Sequence, residues 1–175
     1  ARPEPKALWD KSMTDLEWNR LCHTRFTPGA GFGKAGKEDS GIWERLRKMP
    51  DQWWISYSGG PSFRLRLGLT SFKHVGVFPE QAPNWDYIYR NTSELVAADR
   101  TTALTETQRK AAGQTPDGRP KVLNLFAYTG GASLAAKAAG AEVTHLDSVR
   151  QVVTWAHGNM DASGLDGIRW VVEDA

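Results

Sequence analysis

Hydrophobic and polar residues alternate most regularly in the segment FRLRL at residues 63–67. Every second residue there is apolar, which predicts a strand with Arg64 and Arg66 on one face. The segment WWISY at residues 53–57 has the aromatic and β-branched composition of a second strand. The turn residues SGGP separate the two segments. The pattern therefore predicts a β-hairpin over residues 53–69.

Residues 84–113 have the composition of helices, and Gly113 is a suitable helix stop. The next residues, QTPDGRP at 114–120, are polar and rich in proline and glycine. Such a stretch is typical of a connection between compact parts of a chain. We therefore predict a β-rich, tryptophan-rich module at residues 1–82, a helical connector at 83–120 and a second domain at 121–175.

Strand and helix patterns alternate with short loops in the second domain. The predicted elements are a strand at 122–127, a helix at 131–139, a strand at 142–146, a helix at 148–163 and a strand at 168–172. Such a series forms right-handed parallel crossovers. The predicted fold class is α/β, with an N-terminal β-rich module followed by the first half of a Rossmann-like sheet. Half a sheet leaves an edge uncovered, so we expect a truncated chain or a protein partner at that edge.

The composition excludes some classes of protein but does not indicate a function. The chain has 175 residues, is 40% hydrophobic and 24% charged, and has a net charge of +2. These values are ordinary for a globular protein, and no apolar run approaches the roughly 18 residues of a membrane span. The single cysteine, Cys22, fits a reducing compartment. We predict a cytoplasmic location, or an organelle matrix if a targeting segment preceded Ala1.

Two glycine-rich segments raise the question of nucleotide binding. Residues 27–41 are predicted to form a loop, and their GAGFGKAGK lacks the GK[ST] ending of a phosphate-binding loop. The strand VLNLFA runs into YTGG at residues 128–131, which lacks the G-x-G-x-x-G spacing of dinucleotide sites. The bulky Tyr128 also stands where a pyrophosphate would approach. Both observations disfavour a nicotinamide oxidoreductase.

Acidic residues follow the second and third strands of this domain. Asp147 is placed to accept hydrogen bonds from two ribose hydroxyls, and its alternative role is a helix N-cap before Ser148. Asp174 is placed to accept from an adenine amino group. Two carboxylates that contact an adenosine, without a phosphate loop, suit S-adenosylmethionine better than NAD.

The segments VLNLFAYTGGASLAAKAAGAEVTHLDSV, WAHGNMDASGL and IRWVVEDA resemble the class I S-adenosylmethionine-dependent methyltransferases. More narrowly, they resemble the branch of bacterial 23S rRNA (cytosine-5) methyltransferases. The upstream segment FKHVGVFPEQAPNWDYI resembles the entry into that domain. The resemblance covers most of the chain.

The resemblance implies a site for S-adenosylmethionine built from several segments. They are Phe126, Ala127, Tyr128, Thr129 and Gly130 around the methionine part, Asp147 at the ribose, Ser148 beside the adenine, Asp174 and Ala175 at the adenine edge, and Phe78 and Gln81 on the other side. No metal site is predicted.

The chain also departs from the family pattern. The D-P-P-x-[FY] motif that carries catalysis in the family is absent, so no residue is predicted to be catalytic. The leading hypothesis is part of a methyltransferase that acts on RNA, specifically on a ribosomal RNA base, with RNA as the partner and no membrane insertion. The alternative is an inactive methyltransferase-like subunit of a ribonucleoprotein complex.

Overall fold

A computed structural model of the chain describes residues 12–30, 41–70, 73–101 and 104–175. The predicted fold class, α/β with a Rossmann-like sheet, is confirmed. The strands are β1 (Thr24–Pro28), β2 (Gly41–Arg45), β3 (Gln52–Ser58), β4 (Ser62–Gly68), β5 (Lys121–Asn124), β6 (Glu142–Asp147) and β7 (Ile168–Val172). The helices are α1 (Asp15–Leu21), α2 (Ala82–Thr101), α3 (Glu106–Ala111), α4 (Gly131–Ala138) and α5 (Arg150–Ala162), with a 3₁₀ turn at Pro79–Gln81.

Contacts divide the chain into two compact units. The first contains the described residues up to 53 and within 67–76, and the second contains residues 54–66 and the described residues from 77 to 175. The division predicted at residues 82 and 120 stays a prediction.

The first unit is built on a short helix and a hairpin. Helix α1 begins at a capping box, in which Thr14 and Glu17 bind each other's backbone N–H groups. Strands β1 and β2 pair antiparallel, with Phe26 opposite Trp43. The two rings meet edge to face at 5.2 Å, and Phe26 is buried. This aromatic pair is the centre of a small core.

The second unit contains most of the β3–β4 hairpin and its aromatic support. The strands pair in a two-stranded sheet, and only three residues join them, so they run antiparallel. Phe63 and Leu65 of β4 are buried, while Arg64 between them is exposed. The rings of Tyr57, Phe63 and Trp85 lie 5.1 to 5.5 Å apart. The hairpin predicted over residues 53–69 is therefore present.

The parallel sheet of the second unit has the order β5-β6-β7. Helix α4 packs on β5 and β6, α5 packs on β6 and β7, and α2 packs on α4. Right-handed crossovers that add strands in one direction place α4 and α5 on the same face of the sheet. On β5 this face receives Asn124, whereas Leu123 is exposed.

Several boundaries differ from the prediction. The region at 84–113 contains two helices, of which α2 ends at Thr101 and α3 begins at Glu106. Strand β5 ends at Asn124 rather than residue 127, because the chain turns into the left-handed region at Phe126. Periodicity did not reveal α1, β1 or β2. Most of the predicted loop at 27–41 lies outside the described residues. In the described parts of the chain, no helix is long and apolar enough to cross a membrane.

Candidate functional site

The carboxyl ends of the three parallel strands meet at one edge of the sheet. Asn124, the last residue of β5, lies opposite His145, and Asp147 at the end of β6 lies opposite Val172 at the end of β7. In open parallel sheets ligands bind beyond this edge, where loops lead into helices. The predicted site segments that follow these strands therefore share one edge.

The loop from β5 to α4 has an unusual backbone. Phe126, Tyr128 and Gly130 have φ angles of 55°, 50° and 95°, all in the left-handed region. Side chains at such positions strain the backbone, and in a bulky aromatic residue this conformation is rare. Phe126 as a whole residue is 72% exposed, so burial does not compensate for the strain. Strain that packing does not explain is a feature of ligand-binding loops.

Hydrogen bonds to neighbouring elements fix this loop. The N–H of Ala127 donates to the carbonyl of Leu146 at 3.0 Å. The N–H of Tyr128 donates to Oδ2 of Asp147 at 2.9 Å. On the other side, Nδ2 of Asn159 donates to the carbonyl of Thr129 at 2.9 Å. The end of β6 and helix α5 thus hold the loop, and these bonds maintain its strained conformation.

Asp147 joins two loops and keeps acceptor capacity. Its Oδ2 accepts from Tyr128, and its Oδ1 accepts from the N–H of Val149 at 3.0 Å. Val149 itself is the N-cap residue of α5, so Asp147 forms an Asx-type turn rather than the cap. Each carboxylate oxygen has two lone pairs, so one acceptor position remains on each oxygen. Two adjacent acceptors match the two hydroxyls of a ribose.

The two glycines of the YTGG sequence have different functions. Gly130 has the positive φ that the turn requires, and a Cβ there would lie 3.2 Å from Cβ of Ala156. Gly131 has no positive φ, but a Cβ there would lie 2.7 to 2.8 Å from the indole of Trp85. Since such distances are too short for carbon atoms, Gly131 admits the Trp85 ring against the start of α4. The second glycine, Gly131, is therefore required for the close packing of Trp85 on α4.

The structure brings together some of the other predicted site residues. The rings of Phe78 and Tyr128 lie 4.8 Å apart, which places the entry segment at the loop. Gln81 is exposed, and its Oε1 accepts from the side chain of Asn84 at 2.8 Å. The remaining predicted positions are exposed and follow β6 and β7. They are Ser148, Asp174 and Ala175.

A buried polar network beneath the loop was not predicted. Nδ2 of Asn124 donates to Oγ of Ser133 at 2.8 Å, and Oγ of Ser133 lies 3.0 Å from Nδ1 of His145. His145 is fully buried, and burial lowers the pKa of its imidazole from 6.5 to about 4, although Asp147 nearby opposes this shift. His145 is therefore neutral at physiological pH. The sequence did contain a sign of this residue, because His145 stands at a position of β6 where the alternation of polar and apolar residues calls for an apolar one.

Asn159 was also missed, although the sequence contained a signal. It is fully buried, and its Oδ1 accepts from the N–H of Arg66 at 2.8 Å while its Nδ2 holds Thr129. It lies between Ala156 and Met160 on the buried face of α5. A polar residue on an apolar helix face is a sign of a specific buried partner. No cluster of metal-binding side chains occurs among the described residues.

Sequence comparison finds bacterial ribosomal RNA methyltransferases. The chain is 47% identical over 60 residues to the ribosomal RNA large subunit methyltransferase K/L of Shewanella loihica, and 42% identical over 60 residues to that of Allochromatium vinosum. These stretches are 34% of this chain and 8% of each relative, so the chain matches only a small part of the relatives' length. No family model matches the chain.

Structure comparison extends the similarity to almost the whole chain. A SAM-dependent methyltransferase from Agrobacterium tumefaciens aligns with a TM-score of 0.72 and 35% identity, over 99% of this chain and 46% of that protein. The putative methyltransferase SMU.776, solved with S-adenosylhomocysteine, shares the fold at a TM-score of 0.54 and 24% identity, over 77% of this chain and 30% of that protein. The chain thus has the fold of the class I S-adenosylmethionine-dependent methyltransferases, and part of its sequence resembles the bacterial methyltransferases of ribosomal RNA.

Proposed function

We propose that this chain binds S-adenosylmethionine at the carboxyl edge of β5, β6 and β7 and belongs to an enzyme that methylates RNA. The observation that supports this proposal most is the strained loop at residues 126–130, held by Asp147. A carboxylate after the second strand and a turn without a phosphate loop suit an adenosine that carries no pyrophosphate. The similarity to the SAM-dependent methyltransferase from Agrobacterium tumefaciens over 99% of the chain supports the same cofactor.

The residues present fit this cofactor. The remaining lone pairs of Asp147 would accept from the ribose hydroxyls, and Asp174 would accept from the adenine amino group. The exposed ring of Phe126 and the paired rings of Tyr128 and Phe78 offer apolar surface beside them. The bound cofactor supplies an electrophilic methyl group on a sulfonium. The loop holds its binding groups in place before the cofactor arrives, so little ordering is needed on binding.

The methyl acceptor in this proposal is RNA, and specifically a base of ribosomal RNA. The relatives from Shewanella and Allochromatium are named for methylation of large-subunit ribosomal RNA. Catalysis would consist of holding an unstacked base in line with the methyl group. A cytoplasmic location, where ribosomal RNA is present, stays a prediction.

Calorimetric titration of the 175-residue chain with S-adenosylmethionine tests the cofactor. The wild-type chain should bind S-adenosylmethionine and fail to bind NAD. Asp147→Asn loses one charge-assisted acceptor, and such hydrogen bonds contribute about 1.5–3 kcal/mol. We expect binding to weaken by at least tenfold. Asp166→Asn, at an exposed carboxylate away from this edge, is the matched control and should bind normally.

Two results would refute the cofactor assignment. One is a folded wild-type chain, shown by circular dichroism, that does not bind S-adenosylmethionine. The other is equal affinity in Asp147→Asn and wild type. The RNA assignment has its own test, in which the gene product that carries these residues is incubated with radiolabelled S-adenosylmethionine and ribosomal RNA. Cofactor binding without label on RNA would favour an inactive subunit.

A further inference from the structure

The outer face of the β3–β4 hairpin pairs two arginines with two tryptophans. The guanidinium carbon of Arg64 lies 5.2 Å from the ring centroid of Trp54 on the neighbouring strand. The guanidinium carbon of Arg66 lies 5.2 Å from the ring centroid of Trp155 in α5. We call these four residues the Arg–Trp face. All four belong to the second unit.

The charge on this face is unbalanced. Among the described residues neither Arg64 nor Arg66 forms an ion pair with a carboxylate. Nε of Arg66 is buried and has no hydrogen-bond partner. The other outward positions of the hairpin within this unit, Ser56, Ser58 and Ser62, are uncharged. The face therefore carries two cations that no carboxylate among the described residues neutralises, and an anion would complement them.

The face is also fixed in position. The N–H of Arg64 donates to Oγ of Ser163 at 2.9 Å, and Nε1 of Trp155 donates to the carbonyl of Arg66 at 2.9 Å. Because its N–H is already bonded, Trp155 offers only its ring to a ligand. Trp54 is 42% exposed in a strand, although a large aromatic ring gains by burial. An exposed indole beside paired cations is a surface on which planar groups stack.

We propose that the Arg–Trp face binds single-stranded RNA. The guanidinium groups would contact phosphates, and unpaired bases would stack on the indole and guanidinium planes. Double-stranded RNA shields its bases, and an acidic peptide matches the charge but lacks the planar bases. The inference rests on the proposed function, since it locates where the strand that carries the methyl acceptor is held.

Fluorescence anisotropy with a labelled 12-nucleotide single-stranded RNA tests the inference without cofactor. Loss of one stacked base or one phosphate contact costs about tenfold in affinity, so Trp54→Ala and Arg64→Gln should each bind about tenfold more weakly. Arg64→Gln should also lower the salt dependence of log Kd by about 0.7 per lost phosphate contact. Trp54→Phe, which keeps a ring, should recover most of the affinity. Arg169→Gln, at an exposed arginine of β7, is the matched control and should match wild type.

Three results would overturn the inference. They are unchanged binding in Arg64→Gln and Trp54→Ala, an equal loss in Arg169→Gln, and competition by polyglutamate or duplex RNA as effective as that by the single strand. Competition by polyglutamate would indicate an acidic protein partner instead. Calorimetry with S-adenosylmethionine on Arg64→Gln separates this inference from the proposed function. If Arg64→Gln still binds the cofactor and binds RNA as well as wild type does, only the proposed role of the Arg–Trp face is rejected. If the chain binds RNA but not S-adenosylmethionine, only the proposed cofactor is rejected.

Discussion

Replacing Gly131 by alanine tests whether the second glycine of the YTGG sequence serves packing. A Cβ at Gly131 would lie 2.7 Å from Cε2 of Trp85, whose ring is buried against Tyr57 and Phe63. Adding a methyl group to a filled core costs about 1–3 kcal/mol. The greater helix propensity of alanine offsets up to about 1 kcal/mol. We therefore expect Gly131→Ala to lower the free energy of unfolding, by up to about 3 kcal/mol.

Urea denaturation followed by circular dichroism measures this effect in a double-mutant cycle. In a Trp85→Leu background the added methyl group has space, so Gly131→Ala should become neutral or stabilising. Gly158→Ala is the matched control, because Gly158 lies inside α5 with no atom within 4 Å of a Cβ. It should stabilise the chain by about 0.5–1 kcal/mol. A stabilising Gly131→Ala in the wild-type background, or the same effect in both backgrounds, would refute the packing argument.

Two further predictions concern the buried polar groups beneath the loop. Asn159→Ala removes the hydrogen bond to the carbonyl of Thr129 and the acceptor of the N–H of Arg66, so urea denaturation should show a loss of about 1.5–4.5 kcal/mol. Asn91→Ala, which removes an exposed hydrogen bond, should cost under about 1 kcal/mol, and equal losses in the two variants would contradict this account. The folded pKa of His145 lies below its value of 6.5 in the unfolded chain, so the unfolded state binds an extra proton between about pH 6.5 and 4. The protein is therefore less stable at the lower pH, and stability decreases as the pH is lowered through that window. The free energy of unfolding should be lower at pH 5 than at pH 7.5 by about 2 kcal/mol. This difference should shrink in His145→Gln and persist in the control variant His157→Gln.

The sequence predicted those parts of the fold that have a regular local pattern. Alternating residues revealed the hairpin, and apolar strands with alanine-rich helices revealed β5 to β7 with α4 and α5. These elements bury one face each, so their periodicity is visible along the chain. Strands β1 and β2 are short and mostly exposed, with Phe26 as the buried residue of β1. With so little burial they leave no period to detect.

A residue of the candidate site could be predicted from the sequence when its side chain alone provides the binding group and it directly follows a strand. Asp147 is such a residue, and it lies where the strand pattern placed it. The support of the loop was not predictable, because it depends on partners distant in the chain. Trp85 contacts Gly131 across 46 positions, and Asn159 bonds Thr129 across 30 positions. Only the packing of α2 and α5 brings these pairs together.

Helix α5 connects the two proposed binding surfaces. Through Nδ2, Asn159 holds the carbonyl of Thr129 in the proposed cofactor loop, and through Oδ1 it holds the N–H of Arg66 in the proposed RNA face. Trp155, one turn earlier, holds the carbonyl of Arg66 and carries the guanidinium of the same residue on its ring. The side-chain amide of Asn159 therefore bonds both the β4 backbone and the loop. Since methyl transfer requires the acceptor base and the methyl donor to be held in one geometry, a buried asparagine that bonds both elements is a physical means of setting that distance.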